Sequence, residues 1–61
     1  MVTLHIYNEE LGYMEVEAVE VEASDICFLT DDHIATVEAI CGWWEVYRLP
    51  GGSIVAYFEE E

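Results

Sequence analysis

The ten residues from Tyr13 to Glu22, YMEVEAVEVE, decide the fold. Apolar and acidic side chains alternate along them, which is the period of a β-strand with one buried face. The apolar phase then moves by one residue, because Ala18 is followed directly by Val19, and Val21 continues the new phase. A one-residue slip turns every later side chain to the opposite face, so we expect a bulge or bend near Ala18–Val19. The stretch is predicted to be a long second strand.

The segments before and after this strand predict further strands. Val2 to Tyr7 alternates in the same way and predicts a first strand, joined to the second by the polar loop Asn8 to Gly12. Ile26 to Leu29 is a candidate short third strand. Near the end of the chain, Trp43 to Leu49 and Ser53 to Phe58 are strand-like, with Pro50-Gly51-Gly52 as the turn between them.

One helix is predicted between these groups of strands. Thr30 is a suitable N-cap, and the next two residues are Asp31 and Asp32, whose charges suit the first turn of a helix. Apolar residues then recur at helical spacing over about three turns, and Gly42 is suited to the C′ position. These apolar residues are Ile34, Val37, Ile40 and Cys41.

The predicted fold class is α+β: a single antiparallel sheet of four to five strands with one α-helix packed on one face, in one domain spanning residues 1–61. The chain is 54% apolar and has eight aromatic residues, so it is expected to fold rather than stay disordered. A chain of this length buries only about 60% of its unfolded surface. Such a small core leaves little room for a deep substrate pocket, so we expect no enzyme.

The charge is strongly one-sided. The chain has 14 Asp and Glu residues, one Arg (Arg48) and no Lys, giving a formal net charge of −13. Like charges repel one another and destabilise a small fold, and most small domains mix both signs on the surface. We therefore expect a strongly basic partner, namely a DNA- or RNA-binding protein or complex, or else a salty cytoplasm. Nucleic acid itself and anionic membranes would be repelled.

The predicted strand pattern places several carboxylates on the solvent side. Glu15 and Glu17 oppose the apolar phase, and residues i and i+2 of a strand are about 6.6 Å apart. This spacing is comparable to that of phosphates along a nucleic-acid strand, since a DNA strand carries one charge per roughly 3.4 Å of helix axis. Half-exposed strands often carry solvated Glu, but the missing counter-charges favour recognition. The predicted partner-binding residues are Glu15, Glu17, Glu20, Glu22, Asp25, Asp31, Asp32, Glu38, Trp43, Glu45 and Tyr47.

The aromatic pair Trp43-Trp44 adds a second element to this prediction. Consecutive residues of a strand face opposite ways, so Trp44 is expected to point inward with Val46, while Trp43, Glu45 and Tyr47 point outward. An outward Trp either covers a sheet edge or packs on Tyr57, or it anchors a protein partner, because Trp and Tyr dominate interface hot spots.

No catalytic, metal or cofactor residues are predicted. His5, His33, Cys27 and Cys41 lack the spacing of a zinc site, and no nucleophile–base pair is indicated. The two cysteines are expected to be free, buried thiols, with a single disulfide as the alternative. With no signal-like start and no apolar run of about 18–20 residues, the protein is expected to be soluble and cytoplasmic, in a host cell if it is phage-encoded.

In size, acidity and the alternation from Glu15-Val16-Glu17 to Val21-Glu22, the chain resembles small acidic phage inhibitors that mimic DNA. It is most similar to anti-CRISPR proteins aimed at type I, in particular type I-C, Cascade complexes. The resemblance implies occupation of a DNA-binding channel of a CRISPR effector without catalysis. The alternatives are an inhibitor of a restriction or repair enzyme, and an acidic domain of a halophile with no inhibitory role.

Overall fold

The structure, a computed structural model, describes residues 1–10 and 12–61. The elements are β1 Val2–Asn8, β2 Gly12–Glu20, a 3₁₀ turn Ala23–Asp25, α1 Ile26–Leu29, β3 His33–Ala39, β4 Gly42–Arg48 and β5 Ile54–Glu60.

Within the described residues the strands form one five-stranded sheet in the order β1-β2-β5-β4-β3, accompanied by one short helix. All neighbouring strands pair antiparallel except β2 and β5, which are parallel. The predicted α+β class is therefore confirmed, with one parallel pair as a correction.

The first hairpin forms as predicted. Its register is continuous from the pair Val2–Ala18 to the pair Asn8–Gly12. Leu4 and Ile6 are buried, as the alternating pattern requires. The predicted loop includes Leu11, which lies outside the described residues.

The slip in the apolar pattern of β2 marks a change of partner strand. Pairing with β1 ends at Ala18, and Val19 then pairs in parallel with Val55 of β5. The Val21 N–H extends this junction by donating to the Ala56 carbonyl at 2.9 Å. Val19 and Val21 thus lie beside β5 and not beside β1, and the described β1–β2 ladder contains no register shift.

The predicted helix from Thr30 to Cys41 was wrong, because this segment contains strand β3. The short helix lies earlier, at Ile26–Leu29, where a strand was predicted. A register irregularity between His33 and Ala35 imitates helical spacing by bringing consecutive residues toward the core. Ile40 is 97% exposed, so it contributes nothing to an apolar helix face. Ile, Thr and Val are also better suited to strands than to helices.

The main core lies on one side of the curved sheet. Ile6 and Val46 are its largest fully buried side chains, and Ala18 and Ala56 are 0% exposed. Ile26 is buried outside this cluster, in the helical segment whose 3₁₀ turn packs against β5. The edge strands also approach each other, since β1 contacts β3 and the Asn8 amide Nδ2 donates to the Ile34 carbonyl at 2.9 Å.

Gly42 is not a helix cap but the first residue of β4. It pairs with Ala39 on one side and Glu60 on the other. A Cβ at this position would lie 2.0 Å from the carbonyl oxygen of Glu59. The close approach of the β4 and β5 backbones therefore excludes any side chain here.

We expect Gly42→Ala to lower the free energy of unfolding by about 1–3 kcal/mol or more, because backbone atoms must move to accept the new methyl group. Gly51→Ala is the matched control, since its Cβ would meet nothing within 4 Å, and it should change stability by less than about 0.5 kcal/mol. Urea denaturation of both variants at one salt concentration measures the difference. Equal stability of the two variants would contradict the close approach.

Candidate protein-binding surface

The carboxylates are displayed by strands and turns of the folded sheet. Glu45 and Glu59 are half-buried, and the other twelve acidic residues are exposed. Most of the predicted partner-binding residues fall into three groups, on different parts of the surface. They do not form one continuous line.

The first group lies on the outer side of the β1–β2 hairpin. Glu15 and Glu17 point to solvent, as predicted. Glu15 Oε2 lies 3.4 Å from His5 Nε2, and the other ring nitrogen of His5 lies 3.1 Å from the Tyr13 hydroxyl. Tyr7 and Tyr13 are paired across the hairpin and are 70% and 71% exposed. This surface therefore combines two carboxylates with exposed aromatic rings.

The second group follows the change of partner strand. Glu20, Glu22 and Asp25 line a shallow cleft of about 560 Å³ whose wall includes Tyr57 and Phe58. The predicted row of four glutamates is thus divided at Ala18–Val19, because β2 changes its pairing partner from β1 to β5 there.

Asp31 and Asp32 lie in the loop before β3, not at a helix start. Asp32 Oδ2 accepts a hydrogen bond from Arg48 Nε at 2.9 Å, and the Arg48 backbone N–H donates to the Asp32 carbonyl at 2.9 Å. Thr30 supports the same loop, since its hydroxyl donates to the Arg48 carbonyl at 2.7 Å and accepts from the Asp32 N–H at 3.1 Å. The chain's one Arg is therefore engaged with its own loop.

The third group is the outer surface of β3, β4 and β5, which we call the three-strand face. The strand register places Trp43 between Glu38 and Glu59 in one row. In the next row Glu45 lies between Thr36 and Tyr57. The face consists of His33, Thr36, Glu38, Trp43, Glu45, Tyr47, Tyr57 and Glu59.

The predicted directions of the two Trp residues are confirmed. Val46 is fully buried, and Trp44 packs against the main core, with its ring 5.3 Å from that of Phe58 in an edge-to-face contact. Trp43 lies on the opposite side, lining a cleft with Thr36 and Glu38. Glu38 had been predicted on a helix and is instead a strand residue beside Trp43.

Contacts within the three-strand face hold its side chains in place. The Thr36 hydroxyl donates to Glu45 Oε1 at 2.6 Å, and His33 Nε2 lies 3.6 Å from the same oxygen. The ring of Tyr47 stacks on that of Tyr57 at a centroid distance of 6.0 Å and meets the His33 ring edge-on at 5.0 Å. The Glu45 carboxylate and the rings of Tyr47 and Tyr57 are thus held by contacts within the face itself.

The environment of Tyr57 raises its pKa from 10.0 to about 12. Burial of the phenol is the largest cause, followed by the side-chain hydrogen bond with Tyr47 and the negative charges of Glu45 and Glu59. Tyr57 and Glu59 were not among the predicted site residues. The alternation of Val55, Tyr57 and Glu59 along the last strand was the signal that could have found them.

Three further findings concern metal sites, membrane-spanning helices and the cysteines. Among them, no group of three or more His, Cys, Asp or Glu side chains could hold a metal ion, and no helix is long and apolar enough to cross a membrane. Cys27 and Cys41 are free, as predicted, but both are exposed, so their predicted burial was wrong. They lie in the short helix and in the tight β3–β4 turn, where neither reaches the core.

Searches against protein-family models, curated proteins and solved structures found no match to this chain.

We expect the chain to lose stability as the pH rises from about 10 to about 12, since Tyr57 ionises near pH 10.0 when unfolded and only near 12 when folded. The contribution of Tyr57 to stability is fully present below its unfolded pKa and is lost as the pH rises through its folded pKa. Tyr57→Phe should reduce this loss, as measured by urea denaturation at several pH values. The same pH dependence in the variant and the wild type would contradict the raised pKa.

Proposed function

We propose that this chain is an acidic binding protein that occupies a basic, nucleic-acid-binding surface of another protein and thereby excludes nucleic acid from it. The resemblance to anti-CRISPR proteins makes a type I CRISPR effector complex the first target to test. The proposed place of action is the cytoplasm of the cell that contains this target. No catalysis by the chain is involved.

The observation that carries this proposal is the imbalance of charge on an ordered scaffold. Fourteen carboxylates are opposed by one Arg, and its side chain is paired with Asp32. A protein surface that binds nucleic acid concentrates positive potential, and a rigid negative surface of suitable size is attracted to the same place. Such attraction accelerates association and gives binding that weakens with salt.

The dimensions and charge spacing support the same function. The Cα trace extends 30 × 28 × 19 Å, so the whole molecule is small enough to block a channel or cleft. Carboxylates at alternate strand positions, such as Glu15 and Glu17, are about 6.6 Å apart along the strand. That interval is about two phosphate spacings along a DNA strand.

The proposal predicts that the chain displaces labelled target DNA from a purified type I-C Cascade complex. Because the attraction is between charges, the dissociation constant of the chain for its target, calculated from the displacement curve and the DNA's own affinity at each salt concentration, should rise about tenfold or more between ~0.05 M and ~0.2 M NaCl. Fluorescence anisotropy of the labelled DNA measures both effects. The salt series must also include the DNA–target complex alone, because salt weakens that complex as well.

A restriction endonuclease and a uracil-DNA glycosylase are tested in parallel as alternative targets with basic clefts. Displacement of DNA from one of these enzymes alone would change the proposed target and leave the proposed function, exclusion of nucleic acid, in place. The proposal would be contradicted if the chain displaced DNA from none of the three targets, or if its own affinity for a target did not weaken with salt.

A further inference from the structure

The three-strand face differs from the other acidic surfaces in how its charges are arranged. Trp43 has a carboxylate on each neighbouring strand, Glu38 on β3 and Glu59 on β5. Adjacent strands lie about 4.8 Å apart, and directly opposed Cβ atoms about 4.5–5.5 Å apart. Both acids are therefore direct cross-strand neighbours of Trp43. Thr36, Glu38 and Glu61 line a cleft of about 440 Å³ beside the same ring.

This arrangement lacks a cation of its own among the described residues. The chain has no Lys, and Arg48 is bound to Asp32 at the far end of β4. Neither Glu38 nor Glu59 belongs to any of the three ion pairs found between described side chains. An incoming cation would therefore meet acids that are not already paired with an internal one.

We propose that the three-strand face is the docking surface of the chain, and that it accepts an arginine side chain of the partner over the Trp43 ring between Glu38 and Glu59. This inference rests on the proposed function, because it supposes a partner with an arginine-lined surface. A guanidinium group is planar, stacks on aromatic faces and has five N–H donors in a fixed fork that matches carboxylates. A lysine ammonium is a compact point charge without that plane.

A second acid beside aromatic rings follows one row along the sheet, although this acid, Glu45, already lies 3.6 Å from His33. Glu45 lies beside Tyr57, and the Tyr47 ring stacks on the Tyr57 ring. Rows on one face of a strand repeat at about 6.6 Å. A partner with two neighbouring arginines could thus occupy both rows. The hydrogen bond from Thr36 already orders Glu45, which lowers the entropy that binding must remove.

The outer surface of the β1–β2 hairpin is the main competitor for this role. It also carries aromatic rings and two carboxylates, but Glu15 is within 3.4 Å of His5. Its two tyrosines are 70% and 71% exposed, whereas Trp43 is half-buried and lines a cleft. A half-buried ring with flanking acids desolvates a cation more than a fully exposed ring does, which strengthens cation–π attraction.

The first experiment separates arginine from lysine. Binding of the wild-type chain to two peptides, (Gly-Arg)₄ and (Gly-Lys)₄, is measured by isothermal titration calorimetry at one low salt concentration. We expect the arginine peptide to bind about fivefold more tightly, because it gains stacking on aromatic rings. Trp43→Leu should remove most of this preference. Equal affinity of the wild-type chain for the two peptides would overturn the arginine assignment.

The second experiment maps the surface with three double variants that change the net charge equally. They are Glu38→Gln/Glu59→Gln on the three-strand face, Glu15→Gln/Glu17→Gln on the β1–β2 hairpin, and Glu9→Gln/Glu10→Gln in the turn between β1 and β2. The first should weaken binding of the arginine peptide about tenfold and the other two about twofold. Circular dichroism confirms that each variant folds, and these isosteric changes keep the test valid if Trp43→Leu does not fold.

Equal losses in the three double variants, or the largest loss at Glu15 and Glu17, would overturn the three-strand face as the docking surface. Displacement of DNA from the target by the wild-type chain is measured separately. If the wild-type chain displaces DNA but the three double variants weaken peptide binding equally, this inference fails and the proposed function stands. If the wild-type chain displaces DNA from no target, the proposed function itself fails.

Discussion

The five-stranded sheet depends on one short junction, where Val19 and Glu20 of β2 pair in parallel with Val55 and Ala56 of β5. On one side of it is the β1–β2 hairpin, and on the other are β3, β4 and β5 in an antiparallel group. The Val21 N–H adds one more hydrogen bond, and Ala56 is 0% exposed within the junction. Together with the contacts between β1 and β3, this junction fixes the position of the hairpin's acidic surface relative to the three-strand face.

The fold carries its charge by keeping acids out of the core. No charged or polar side chain among the described residues is buried, and the main core is built from aliphatic side chains and alanines. Glu15 and Glu45 each have a histidine nearby, and Asp32 has Arg48. The remaining repulsion is a cost in stability that salt would reduce. A basic partner would reduce it further, and this links the composition of the chain to its proposed function.

The strand pattern was sufficient to predict the first hairpin and the outward direction of Trp43, because strict alternation has only one structural interpretation. The segment 33–39 was predicted incorrectly, because an irregularity near His33 gives a strand the apolar spacing of a helix. Most of the acids were predicted to be exposed, but their grouping was not. It depends on which strands become neighbours, and the parallel β2–β5 pair brings together residues about 36 positions apart. Local pattern contains no information on such a pairing.

The central claim is that the negative surface serves recognition on a fold that is stable by itself. A halophilic domain offers the opposite account, in which concentrated salt is needed for folding. The most direct measurement is thermal unfolding of the isolated chain, followed by circular dichroism, from ~0.05 M to ~2 M NaCl. We predict a cooperative transition already at the lowest salt, with a melting temperature that rises modestly as repulsion is screened. A chain that is unfolded below ~1 M NaCl would contradict the claim.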